Sequence, residues 1–222
     1  MKKVYLSAEV HSALTSYLTE QGYAIELVHH KDTTYTPVNT HPDIFMCRFG
    51  IWEKPYIFPG NPEKIQPKYP GNIIYNAVCT GKYFIHNLKY TDPELLSAAK
   101  AWKDGLILID VPQGYTRCCC LPVNDNSFIT SDHGIAKVLS SEGVEVLIIE
   151  KGHIALPGFD YGFIGGCGGH IIIDGKKAII FNGNLSNHPD FHKMVNFIHE
   201  RNIDIIYFED YPLTDIGSIL TL

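Results

Sequence analysis

Three consecutive cysteines, Cys118-Cys119-Cys120, follow directly on Arg117. A thiol attacks carbon or binds a metal as its thiolate, and a neighbouring guanidinium favours that form. In an extended strand Cys118 and Cys120 would share one face, with Cys119 on the other. Cys118 is therefore a candidate nucleophile, and Cys118 with Cys120 a candidate pair of soft-metal ligands. The competing account is that cysteine is a small buried hydrophobe. Cys47, Cys79 and Cys167 complete the set. No two cysteines have C-x-x-C spacing, so a structural zinc site lacks its usual ligand pairs.

The tripeptide His-Pro-Asp occurs twice, at His41-Pro42-Asp43 and His188-Pro189-Asp190. The second precedes a helical pattern, where proline and aspartate suit the first turn. The first precedes a strand pattern, where capping gives no account of it, so Asp43 is the better candidate for holding a cation. His188 and His192 stand four apart on what reads as the polar face of that helix. They lack a third ligand nearby, and a solvated face is the expectation. Gly162 to Gly169 holds five glycines. A dinucleotide fingerprint needs a helix after it, whereas a strand, Ile171-Ile172-Ile173, follows here. Tight turns or close backbone approach remain open. Asp110, Glu150 and Glu209 each end a strand pattern and read either as cation holders or as solvated strand ends.

The elements that must position these residues form a repeat. Asn76 to Cys79 reads as a strand, Thr80-Gly81 as a turn, and Lys82 to His86 as a returning strand. Asp92 caps a helix with Pro93 in its first turn. Gly105 ends it, and Leu106 to Ile109 is a last strand. The same order recurs from Cys120 through Ser127–Thr130, an Asp132-capped helix, Gly143 and Val146–Ile149. It recurs again from Ile171 through Asp174-Gly175, Ala178–Phe181, a helix with Phe191, Met194, Val195 and Ile198, then Asn202 and Ile205–Phe208. Val4–Leu6, the stripe Val10, Ala13, Leu14, Tyr17 and Leu18, then Gly22 and Ala24–Val28, supply most of a further unit. The tail Gly217–Leu222 would supply its missing strand and close a ring, removing open sheet edges. A degenerate fifth unit is expected from Asp43–Phe49 to Ile73–Tyr75, with a loop between Pro59 and Pro70.

Composition bounds the rest. The 222 residues are 45% apolar and 19% charged, with a formal net charge of -6. That describes a globular chain, read here as a single domain over 1–222. The basic residues are scattered, which argues against a nucleic-acid partner. No apolar run approaches the length of a membrane span, and the N-terminus turns polar too early for a secretory signal. Free thiols and a cytoplasmic location are expected.

The chain resembles the pentein fold of guanidine-modifying enzymes, and in particular an uncharacterised bacterial family assigned to it. The residues that carry the resemblance are His41–Phe45, Gly114–Cys118, Ile129–Asp132, Gly162–Gly166, His188–Asp190 and Asp215–Leu220. It implies an α/β propeller of five ββαβ units with pseudo-fivefold symmetry, closed around a central channel that takes a small-molecule ligand. It further implies attack by a cysteine thiolate on a guanidinium carbon, with a histidine handling protons and carboxylates holding the cation. No cofactor is implied. Where those enzymes carry their cysteine near the C-terminus, this chain has Thr214-Asp215-Ile216-Gly217-Ser218. No residue takes that role by position; the first expectation puts the nucleophile at Cys118, at the opening of a unit, with His41 or His170 as base. Asp43, Asn76, Asp215 and Ser218 are the expected substrate-binding residues. The rival expectations are a non-catalytic scaffold binding a small molecule or a protein, and a thiol-based metal-binding protein.

Overall fold

The computed structural model describes residues 2–30, 33–103 and 105–222. Strand β1 (Lys2–Ser7) buries Val4 and Leu6. Helix α1 (Ser12–Glu20) turns Leu14 and Leu18, one helical turn apart, onto the same core. Gly22, at φ +79°, provides the left-handed stop, and β2 (Tyr23–Val28) returns parallel to β1. A single helical turn, α2 (Pro42–Phe45), leads into the antiparallel hairpin of β3 (Met46–Phe49) and β4 (Tyr56–Pro59).

The next two units follow the expected order. Strands β5 (Val78–Cys79) and β6 (Tyr83–His86) are antiparallel; α3 (Pro93–Lys100) then crosses to β7 (Ile107–Asp110), parallel to β6. Asp92 Oδ1 accepts from the Glu94 and Leu95 amides at 2.9 and 3.1 Å, the expected cap. A second short turn, α4 (Thr116–Cys119), opens the unit of β8 (Cys120–Asn124), β9 (Ser127–Thr130), α5 (His133–Ser141) and β10 (Glu145–Ile148). The last comprises β11 (Gly168–Ile173), β12 (Lys176–Phe181), α6 (Phe191–His199) and β13 (Asp204–Ile206). Asn202, at φ +55°, follows α6 as the expected left-handed residue. The chain ends in β14 (Leu220–Thr221), antiparallel to β1 with Tyr5 opposite Leu220.

The protein is thus a mixed α/β fold of five small sheets. Four share one pattern: the middle strand has an antiparallel partner on one side and, across a helix, a parallel partner on the other. The sheets share apolar cores in sequence. Phe45 and Phe49 pack with Phe84 and Leu95, Val78 and Ile85 with Phe128 and Ile135, and Leu121 and Ile129 with Ile179 and Met194. Ile171 and Ile180 pack in turn with Val4 of β1 and Leu14 of α1. Among the described residues no helix is long and apolar enough to cross a membrane.

Three expectations fail locally. Asp43–Phe45 is not strand: it belongs to the helical turn α2, with Pro42 at its first position, and the strand begins at Met46. Ile73–Tyr75 is not a strand. Ile73 and Tyr75 are buried in a turn, and the Tyr75 hydroxyl accepts from the Asn61 amide at 3.1 Å. A short apolar run does not by itself distinguish a strand from another buried segment. The degenerate unit is the β3–β4 hairpin instead. The cysteine triplet is not extended either: Cys118 and Cys119 complete α4 and only Cys120 enters a strand. Gln113 explains the turn, because its side chain accepts from the Tyr115 amide at 3.0 Å and its carbonyl from the Thr116 hydroxyl at 2.7 Å.

Candidate functional site around Cys118

The segments that open the strand units converge, and hydrogen bonds join them in a cycle. The Asp43 amide donates to the Gly217 carbonyl at 3.1 Å, and Asn76 Nδ2 to the Asp43 carbonyl at 3.2 Å. The Arg117 amide donates to the Asn76 carbonyl at 3.0 Å, the Gly166 amide to the Cys118 carbonyl at 3.0 Å, and the Ser218 amide to the Gly166 carbonyl at 2.7 Å. Backbone polar groups at these buried turns need partners, and neighbouring units supply them.

Asn76 is the central strut. Its Oδ1 accepts from the amides of Arg117 and Cys118 at 2.8 and 3.3 Å, and its Nδ2 also reaches Cys118 Sγ at 3.3 Å. The Cys118 thiol donates to Asp43 Oδ2 at 3.1 Å, and the Ser218 hydroxyl donates to the same oxygen at 2.6 Å. Arg117 crosses beneath, donating to the carbonyls of Gly165 and Gly168 at 2.8 and 3.1 Å. Asp215 is held by the amides of Phe163 and Gly217 at 3.0 and 2.9 Å. Gly166 lies so close to the Asp215 carboxylate that a Cβ there would collide with it, which answers the open question about the glycine-rich segment.

Cys118, His41 and Asp215 line a cavity of about 300 Å³. A ring nitrogen of His41, the Cys118 sulfur and a carboxylate oxygen of Asp215 lie within 4.8 Å of one another. Aromatic side chains, Tyr35, Tyr115, Phe159, Tyr161 and Phe163, form much of the remaining wall. His41 Nδ1 and Asp43 Oδ1 are buried without a hydrogen-bond partner.

Burial dominates the electrostatics. It lowers His41 to about 4, against a smaller opposing pull from Asp43, so the imidazole is neutral at pH 7. Burial raises Asp215 to about 6, and raises Asp43 as well, despite His41 and the Ser218 hydroxyl. Burial, then the carboxylates of Asp43 and Asp215, push the Cys118 thiol well above its ordinary value. Arg117 therefore does not produce the thiolate that its position beside the cysteine suggests. The site thus holds a neutral imidazole and a protonated thiol beside two carboxyl groups whose protonated forms burial favours.

Of the expected site residues, His41, Asp43, Asn76, Cys118, Asp215 and Ser218 come together. His170 does not. It sits on β11 with Nε2 bonded to the Pro122 carbonyl at 2.6 Å and Nδ1 3.5 Å from Arg48 Nη1, lining other cavities. Its strand direction carries it away, as no local pattern reveals. Cys119 and Cys120 pack into the core between sheets, so the triplet offers no ligand pair. His188 precedes α6 rather than lying on its face; it is buried, with Nε2 3.2 Å from the Glu150 carbonyl. Asp190 caps no α6 amide; it accepts from the Glu150 amide at 2.7 Å and pairs with Lys193 at 2.6 Å. Asp110, Glu150 and Glu209 are exposed, the solvated alternative. The aromatic wall escaped the sequence reading, because Tyr35 and Phe159–Phe163 sit in loops without periodicity.

No curated protein and no solved structure matches the chain. One protein family does, over residues 56–220. The matched span includes Asn76, Cys118, Asp215 and Ser218, and stops short of His41 and Asp43. Since it covers most of the chain, the protein belongs to that family, described as a family of unknown function, DUF6873.

Proposed function

We propose that the protein is a pentein-type enzyme that acts on a small guanidino or amidino compound through Cys118. The observation that carries this reading is the meeting of Cys118, His41 and Asp215 in the floor of an aromatic-walled cavity. The hydrogen-bonded cycle of unit openings, the core shared between the last sheet and the first, and the pairing of β14 with β1 support a closed five-unit ring.

A guanidinium is planar and cationic, so buried carboxylates and aromatic faces suit it. Its charge would also change the thiol. A cation beside Asp43, Asp215 and Cys118 favours all three in their ionised forms, so substrate itself lowers the thiol pKa. His41 takes the thiol proton, and the thiolate forms a bond to the central carbon. Its C–N bond then breaks, and the departing amine leaves with the proton from His41. Water then releases the group from sulfur in a hydrolase, and an acceptor amine does so in a transferase. The free cysteines support the expected cytoplasmic setting, where thiols stay reduced.

Paired alkylation tests this. Chloroacetamidine is cationic and chloroacetamide is its neutral counterpart. Cys118 is expected to be the labelled residue by mass spectrometry, with the amidine at least about tenfold faster, and Cys118→Ser is expected to abolish that label. Equal rates, or label spread over several cysteines, would favour the non-catalytic scaffold instead.

A second reading rests on the same three donors. His41, Cys118 and Asp215 would hold a zinc ion with one position left toward the cavity. The unpartnered His41 Nδ1, 3.9 Å from Asp215 Oδ1, favours it. A bound zinc would make the thiol a thiolate and protect Cys118 from both reagents. Stoichiometric zinc uptake that is lost in Cys118→Ser would select this reading over the first.

A further inference from the structure

A second cavity, of about 190 Å³, lies beside β11 and β14 and is separate from the Cys118 site. Its lining brings the donors Arg48, Trp52 and Lys2 together with Tyr23, His170, Thr221 and the C-terminal Leu222. Arg48 gives Nε to the Thr221 carbonyl at 2.7 Å, Nη2 to the Ile51 carbonyl at 2.5 Å and Nη1 to His170 Nδ1 at 3.5 Å. A guanidinium has five N–H bonds, so two remain without an acceptor. His170 Nε2 bonds to the Pro122 carbonyl, which requires its proton there and leaves Nδ1 as the acceptor facing Arg48. Among the described residues no carboxylate pairs with Arg48 within 4.0 Å. Trp52 also lines this cavity, and its indole N–H is buried with no acceptor. Lys2 stands at the lining with its ammonium on the Ile172 carbonyl at 2.7 Å, and the Lys177 ammonium lies 5.6 Å from the Trp52 ring centroid.

A half-buried cation without a counter-charge and a buried indole N–H without an acceptor each carry a desolvation cost that an anion would offset. Burial, with Arg117 adding to it, lowers Arg48 to about 9, the mark of an uncompensated charge. We infer that this cavity binds a small organic carboxylate, with the carboxylate on the free N–H bonds of Arg48 and on Trp52 Nε1. Ile51, Pro55 and Ile171 supply apolar wall for a carbon chain, which an inorganic anion would not use.

Titration of the 15N-labelled full-length protein with propionate tests this, with inorganic phosphate and methylammonium as parallel probes. The protein has two indole N–H signals, from Trp52 and Trp102. Propionate is expected to shift the Trp52 signal saturably and leave that of Trp102 in place. Trp52→Phe, which removes the N–H donor while keeping an aromatic ring, is expected to weaken binding about tenfold when followed by thermal midpoint, and Arg48→Gln to abolish it. If Arg48→Gln does not fold, Trp52→Phe alone decides. A Trp52 signal unmoved by propionate, unchanged affinity in Trp52→Phe, or phosphate binding as tightly as propionate each overturns the inference.

Discussion

The Ser218 hydroxyl donates to Asp43 Oδ2 at 2.6 Å, tying together residues 175 positions apart. Ser218 holds φ +75°, a region that side chains other than glycine rarely occupy, so the contact is made against backbone strain. Ser218→Ala keeps the strain and loses the bond; it is expected to destabilise the fold by about 1–3 kcal/mol. Ser218→Gly loses the bond but relieves the strain, and is expected to be the milder change. Chemical denaturation of both variants checks the order, and a glycine variant less stable than the alanine one contradicts it.

Asn76 is expected to matter more than its size suggests. Asn76→Ala leaves the buried Arg117 amide with the Asn76 carbonyl alone, at 3.0 Å, and strips the Cys118 amide of its side-chain acceptor. A loss of about 2–4 kcal/mol is expected. Asn76→Asp retains an acceptor but removes both donations and adds charge beside Asp43. It is therefore not a conservative change, and its urea midpoint should also fall below the native one.

Acid should unfold the protein early. Burial lowers His86 to about 4, and the Gly114 carbonyl, which accepts from its ring, offsets only part of that. Unfolded histidine binds its proton near 6.5, so the stability from a neutral buried His86 is full above that pH. It is lost as pH falls toward about 4. His41 and His170 act in the same direction. Asp215 and Asp43 oppose them: both are raised, Asp215 from 3.8 to about 6, so they favour the fold at low pH and lose that contribution as pH rises. The net slope between pH 4 and 6.5 is expected to be positive. His86→Gln should flatten it by up to about 1.4 kcal/mol per pH unit, measured by urea midpoints across the range.

Cys118 alkylation by a neutral reagent should report its protonated thiol. Because burial and two carboxylates raise its pKa well above the ordinary value, the rate should still be climbing at pH 9.5, where a free thiol has levelled off. The five other cysteines are as buried as Cys118 but do not line its cavity, and should stay unmodified while the fold persists. A plateau near pH 8.5 would mean that neither burial nor the carboxylates govern this thiol.

Much of the framework was readable along the chain. Asp92 and Asp132 as caps, Gly22, Gly105, Gly143 and Asn202 as stops, and the Asp174-Gly175 hairpin all depend on contacts within a few residues, which local sequence encodes. The pairing of the tail with β1 followed from counting which unit lacked a strand. The register of chemistry did not follow. Cys118 was legible as a thiol beside Arg117, yet its protonation state is set by Asp43 and Asp215, 75 and 97 positions away along the chain. His170 carried a plausible local pattern and was taken elsewhere by the direction of its strand. Residue type and spacing decide which elements form, because those preferences act over a turn or a strand. Only tertiary packing decides which side chains lose water together, and burial governs the charge of every group at this site.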